Sequence, residues 1–110
     1  MNMQEKAMNA VARYVAEVNR AEDLAEITPN VLAFTAYDMR CFVAVSVSEG
    51  EWPEYVAWTP ETCRMALAID AVENRPEGVA ELRFDLASIY SFPGSEQAIL
   101  EYQVNAEIER

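Results

Sequence analysis

Chemistry in this chain falls to carboxylates. Its 110 residues include 19 Asp and Glu but no His, and among the 8 Lys and Arg only Lys6 is a lysine. Without imidazole, Ser-His-Asp and Cys-His nucleophile systems are excluded, as are a histidine base and a histidine metal ligand. Glu49, Glu51 and Glu54 place three carboxylates within a short stretch beside Gly50 and Pro53. Oxygen ligands of that kind suit Mg or Ca, but the glycine-punctuated Asp/Asn ladder of a calcium loop is missing, and a solvated charge run is the simpler reading. Asp85 shares alternate strand positions with Arg83, which reads as a structural ion pair before it reads as a catalytic acid. Cys41 and Cys63 show neither metal spacing nor a disulfide framework and are expected to be two reduced core thiols. Trp52, Tyr55 and Trp58 are rings of the type that anchor protein partners, but packing over the hairpin and the second helix is the favoured explanation, since aromatics mostly fill cores.

The charge balance, 8 − 19 = −11, narrows the partners. Phosphate-backbone binding rests on cations displacing counterions, and the seven arginines are scattered from Arg13 to Arg110, so direct nucleic-acid binding is disfavoured. No apolar stretch approaches the length of a membrane span, and the N-terminal MNMQEKAMNAVARYV lacks a basic region followed by an apolar core. The expectation is a cytoplasmic protein without a membrane anchor and, since no cofactor motif is present, without a cofactor. At 52% hydrophobic residues, with 3 Gly and 5 Pro, the chain has enough apolar surface to offset its ordering entropy. Its length makes one domain, residues 1–110.

The elements that must position these groups follow from periodicity. Met3, Ala7, Val11, Tyr14 and Val18 recur at helical spacing and predict a first helix. The polar stretch 20–30 holds at most a short strand around Leu24 to Ile27. Val31 to Tyr37 and Cys41 to Ser48 are rich in β-branched and aromatic residues and read as an antiparallel pair, joined by a loop of Asp38, Met39 and Arg40. In the second of these strands Cys41, Val43, Val45 and Val47 share the core face. Thr59-Pro60-Glu61 begins a second helix with a hydroxyl cap, a proline at the first position and an acid at the dipole's positive end. That helix is apolar around most of its circumference, which predicts packing on the sheet with covered flanks, and it ends before Pro76 and Gly78. Glu81 to Phe92 alternates over a long strand, Pro93-Gly94-Ser95 turns the chain, and Ala98 to Val104 is a last strand followed by a frayed tail, 105–110. The result is an α/β architecture in the order α-β-β-(β)-α-β-β.

Several strings in that order resemble the YraN-like family, which has the restriction-endonuclease-like fold. Its members read G-E-x-D-L-I-A-x-D, F-V-E-V-K, A-V-T-P, R-F-D and I-E-H-I-x-N-A in succession. Here Ala36-Tyr37-Asp38, Phe42-Val43-Ala44-Val45-Ser46, Ala57-Trp58-Thr59-Pro60, Arg83-Phe84-Asp85 and Leu100-Glu101-Tyr102 with Asn105-Ala106 follow the same order at similar intervals. Ala12-Arg13-Tyr14-Val15 is similar to the family's first helix. The resemblance implies a mixed sheet flanked by helices.

It also implies where a nuclease site would stand. The fold's Mg-dependent chemistry uses one carboxylate on the first hairpin strand, and a second carboxylate two residues before a lysine on the next. At the matching positions this chain has Ala33, Ala44 and Ser46, so the metal ligands and the lysine are gone and a vacated cleft is expected. Lys6 lies on the first helix and does not match the missing lysine. The implied function is that of a catalytically inactive relative acting by binding a partner, with Trp52, Tyr55 and Trp58 as candidate contacts. Two alternatives stand beside it: a metal-dependent nuclease or other hydrolase using a different carboxylate set, such as Glu49, Glu51, Glu54 and Asp85, and an acidic mimic of nucleic acid.

Overall fold

The computed structural model describes residues 2–50, 57–94 and 97–108. In chain order the elements are α1 (Met3–Val18), β1 (Glu22–Thr28), β2 (Val31–Ala36), β3 (Met39–Glu49), α2 (Pro60–Glu73), β4 (Glu81–Ser91) and β5 (Ala98–Gln103). β1, where the sequence pattern allows at most a short strand around Leu24 to Ile27, is a full edge strand of 7 residues.

The strands form one mixed sheet in the order β1-β2-β3-β4-β5. β1, β2 and β3 make an antiparallel meander, α2 carries the chain over to β4, which runs parallel to β3 along its whole length, and β5 returns antiparallel. A parallel pair needs a crossover, and the helical pattern after Thr59 supplies it. Thr59 caps α2 by accepting from the Thr62 backbone N–H, while the Thr62 hydroxyl accepts from the Thr59 N–H, so two otherwise orphaned donors are satisfied reciprocally.

The helices cover opposite faces. Ala7, Met8, Val11 and Val15 of α1 pack on Leu32, Phe34, Cys41, Val43 and Val45. Cys63 and Ala66 of α2 pack with Val31, Ala33, Phe42, Ala44 and Phe84 on the other side. Central β3 is therefore buried on both faces, where alternation had assigned the core to Cys41, Val43, Val45 and Val47 alone. Period-two patterning cannot distinguish a polar face from one made of Phe42 and Ala44 that a second helix covers.

Three further expectations change in the folded molecule. The hairpin loop shortens to Tyr37 and Asp38, with Tyr37 at φ 58°, and Met39 and Arg40 already belong to β3. The flanks of α2 are not covered throughout: Met65 and Val72 are 56% and 75% exposed. Residues 105–108 are not a frayed tail. The Ala106 N–H donates to the Phe84 carbonyl at 2.7 Å, the Ala106 side chain is buried, and Ile108 bridges to Trp58. Among the described residues no helix is long and apolar enough to cross a membrane.

Candidate functional site

Ala33, Ala44 and Ser46, the positions at which the resemblance implies nuclease groups, come together on the α2 face of β2 and β3. Register pairs Ala33 with Phe42 and Val31 with Ala44, so Ala33 and Ala44 share that face on adjacent strands. Ala33 is fully buried and its surroundings are closed by packing, while Ala44 remains on the floor of a cleft of about 200 Å³. The roof is Met65, Ala66 and Ile69 of α2, and Val31 and Trp58 form the sides. Ser46 lies further along the same face, and its hydroxyl is engaged with the Ser88 hydroxyl at 3.1 Å across the parallel pair. This donor set does not fit a divalent cation: two methyl groups and one hydroxyl already in a hydrogen bond offer none of the carboxylate oxygens that Mg requires.

Asp85 is on the other face. It pairs with Val43, and its fully buried carboxylate lies on the α1 side of the sheet. Arg83 Nε donates to both oxygens, at 3.0 and 3.2 Å, Arg83 Nη2 donates to Oδ2 at 2.9 Å, and the Asn105 backbone N–H donates to Oδ1 at 2.8 Å. The Tyr102 hydroxyl donates to Oδ2, and its ring lies 5.1 Å from that of Tyr14 in α1. A carboxylate offers about four lone-pair sites, and these donors occupy them. The expected Arg83–Asp85 pair is present, and the carboxylate is committed to holding β5 and its continuation on β4. Burial, followed by the hydrogen bond to Asp85 and the carboxylate's charge, pushes the Tyr102 phenol well above its ordinary range, so it remains a donor. Burial pulls the other way on Arg83, but its bond to Asp85 and that residue's charge outweigh it and raise its pKa.

The alternative carboxylate set is not assembled by the described residues. Glu49 is opposite Ser91 in the ladder while Asp85 is opposite Val43. Six residues of strand separate them, about 20 Å at roughly 3.3 Å each. Glu49 instead borders a hollow on the α1 side that Lys6 and Phe92 also line. Glu51 and Glu54 lie outside the described residues, as do Trp52 and Tyr55. Among the described residues no group of three or more Cys, Asp or Glu is placed to hold a metal ion.

Trp58, read from sequence as a candidate partner contact, is 2% exposed. Its indole N–H donates to the Asp85 carbonyl at 2.8 Å, and its ring meets Phe84 edge-on at 5.0 Å, with Phe42 stacked beyond. The packing reading holds for this ring, because a buried indole needs both an apolar bed and an acceptor, and β4 provides them.

A second buried ion pair, outside the sequence expectations, joins β3 to α2. Arg40, at the start of β3, is 1% exposed and grips Asp70 of α2 in a bidentate contact, Nε to Oδ2 at 2.8 Å and Nη2 to Oδ1 at 2.7 Å. Its Nη1 donates to the Asp23 carbonyl and the Thr35 hydroxyl, and Asn74 donates to Asp70 Oδ1. Burial alone would raise the Asp70 pKa, but hydrogen bonds from Arg40 and Asn74, together with the Arg40 charge, hold it below the usual carboxylate range. The signal was in the sequence: Asp70 continues the buried stripe of Cys63 and Ala66, and an acid on such a stripe calls for a buried cation. Both cysteines are free and buried. Burial pushes the Cys41 thiol up to about 11, with Arg83 opposing and Asp85 reinforcing the shift, and burial also raises Cys63.

The chain matches no protein-family model, no curated protein and no solved structure.

Proposed function

We propose that this domain is a catalytically inactive relative of the YraN-like, restriction-endonuclease-like proteins and that it acts by binding a partner rather than by cleaving one. The observation that carries the reading is the setting of Ala33 and Ala44. Where the resemblance implies carboxylates around a metal, these two methyl groups lie on one buried face under α2 and are continuous with the apolar cluster of Val31, Phe42 and Cys63. A cluster built this way is supported by having lost its charges, because unpaired carboxylates there would bear a large desolvation cost. The order α-β-β-β-α-β-β, with β3 and β4 parallel, supports the kinship. The saturated hydrogen bonding of Asp85 weighs against its use in a substitute site.

The test is titration of the purified full chain with Mg and with Mn by calorimetry, joined to cleavage assays on single-stranded, duplex and branched DNA. The expected result is no saturable heat and no cleavage. Chelator-sensitive turnover that follows the protein peak through two different columns would overturn the reading and favour the alternative carboxylate set.

A further inference from the structure

We propose that the cleft between α2 and the start of β2 is a binding site for a small, uncharged, apolar ligand, about the size of one substituted aromatic ring. Size is the first argument. The cleft measures about 200 Å³, against roughly 150 Å³ for an apolar cavity able to hold benzene. Its space comes from Ala44 on the strand floor and Ala66 on the helix roof, two small side chains that face across it where larger ones would close it.

Composition is the second argument. One residue in four of this protein is charged, yet among the described residues none that lines the cleft carries a charge. The polar groups at its edge are largely spent: the Thr62 hydroxyl serves the helix cap, and the Thr28 hydroxyl donates to Asn30 Oδ1 at 2.8 Å. Water against such a lining finds few protein partners, and an apolar ring that displaces it gains contact at little polar cost. An anion would meet no counter-charge there and would enter against a net charge of −11.

Rigidity is the third argument. Val31, Ala44 and Ala66 are buried in the packed face, and Trp58 is fixed by its bond to the Asp85 carbonyl. The floor and the Trp58 side are therefore formed before a ligand arrives, which lowers the ordering cost of binding. The inference stands on this geometry and not on the proposed kinship, so a failed nuclease assay and a failed titration are separate results.

The experiment is a titration of the full-length protein with 4-fluorotoluene and 4-fluorobenzoate, two rings of similar size of which only the second is charged. Binding is followed by fluorine NMR and by the methyl resonances of Ala44 and Ala66. The expected result is a saturable shift with 4-fluorotoluene, centred on those two methyls, and none with 4-fluorobenzoate. Ala44→Leu fills the floor and should weaken the affinity at least about tenfold, equivalent to about 1.4 kcal/mol. Met65→Gln, at a half-exposed roof position where the core is not disturbed, should weaken it as well and decides the matter if Ala44→Leu does not fold. No saturable shift, equal binding of the benzoate, shifts centred elsewhere, or unchanged affinity in the folded variants would each overturn the proposal.

Discussion

At the scale of single residues, Asp85 has the clearest energetic role. Five hydrogen bonds converge on its carboxylate from Arg83, Tyr102 and the Asn105 backbone. Asp85→Ala leaves Arg83, whose side chain is 13% exposed, without its counter-ion, and a loss of about 3 kcal/mol is expected from the cost of breaking a buried pair. Tyr102→Phe removes one donor and should cost about 1–2 kcal/mol. Urea unfolding of the two variants measures both, and near-equal values would show that the ion pair contributes little beyond the phenol. The cysteines supply a second expectation. With both thiols buried and Cys41 pushed up to about 11, neither should react with a thiol reagent at pH 8 in the native state, and both should react once denaturant is added.

At the scale of elements, the α2 crossover is fixed at both ends by polar groups. Thr59→Ala breaks the reciprocal cap with Thr62 and should lower stability by about 1 kcal/mol, read as a lower urea midpoint at unchanged slope. The other end is held by Asp70 against Arg40 of β3. A carboxyl held below its ordinary value when folded contributes stability that is complete above its unfolded pKa, roughly 3.9, and is lost as the pH falls through the lower folded value. Acid titration of stability should therefore show a falling limb below about pH 4, and Asp70→Asn should flatten it while lowering stability at neutral pH. A limb of unchanged steepness in that variant would assign acid unfolding to other carboxylates.

At the scale of the whole molecule, charge governs what can approach. The arginines that are ordered into the interior, Arg40 and Arg83, are spent on Asp70 and Asp85, which leaves the surface still poorer in cations than the count of 8 suggests. Binding to duplex DNA at physiological salt should be no tighter than weak nonspecific association. A submicromolar complex whose affinity falls steeply with salt, measured by fluorescence anisotropy, would contradict this. The sheet edges differ in character as well. β1 carries two register shifts, Asp23 at φ 51° and exposed acids, features that blunt an edge against pairing with another strand.

Local chemistry was enough to place much of this fold. Apolar spacing marked α1 over Met3–Val18, the Thr59-Pro60 cap marked the start of α2, and β-branched alternation marked β2, β3 and β4, because each of these signals acts within one or two turns or strands of chain. The absence of histidine and the neutral residues at 33, 44 and 46 were equally plain, since they need no geometry to be read. Tertiary structure alone decided that Phe42 and Ala44 face a second buried layer, that Arg40 leaves the hairpin loop for Asp70, 30 residues away, and that 105–108 return to β4. The physical reason is common to all three. Whether a side chain is buried, and whether a buried charge meets its partner, depends on what the crossover helix and the chain's end bring against it, and no window of sequence contains both sides of such a contact.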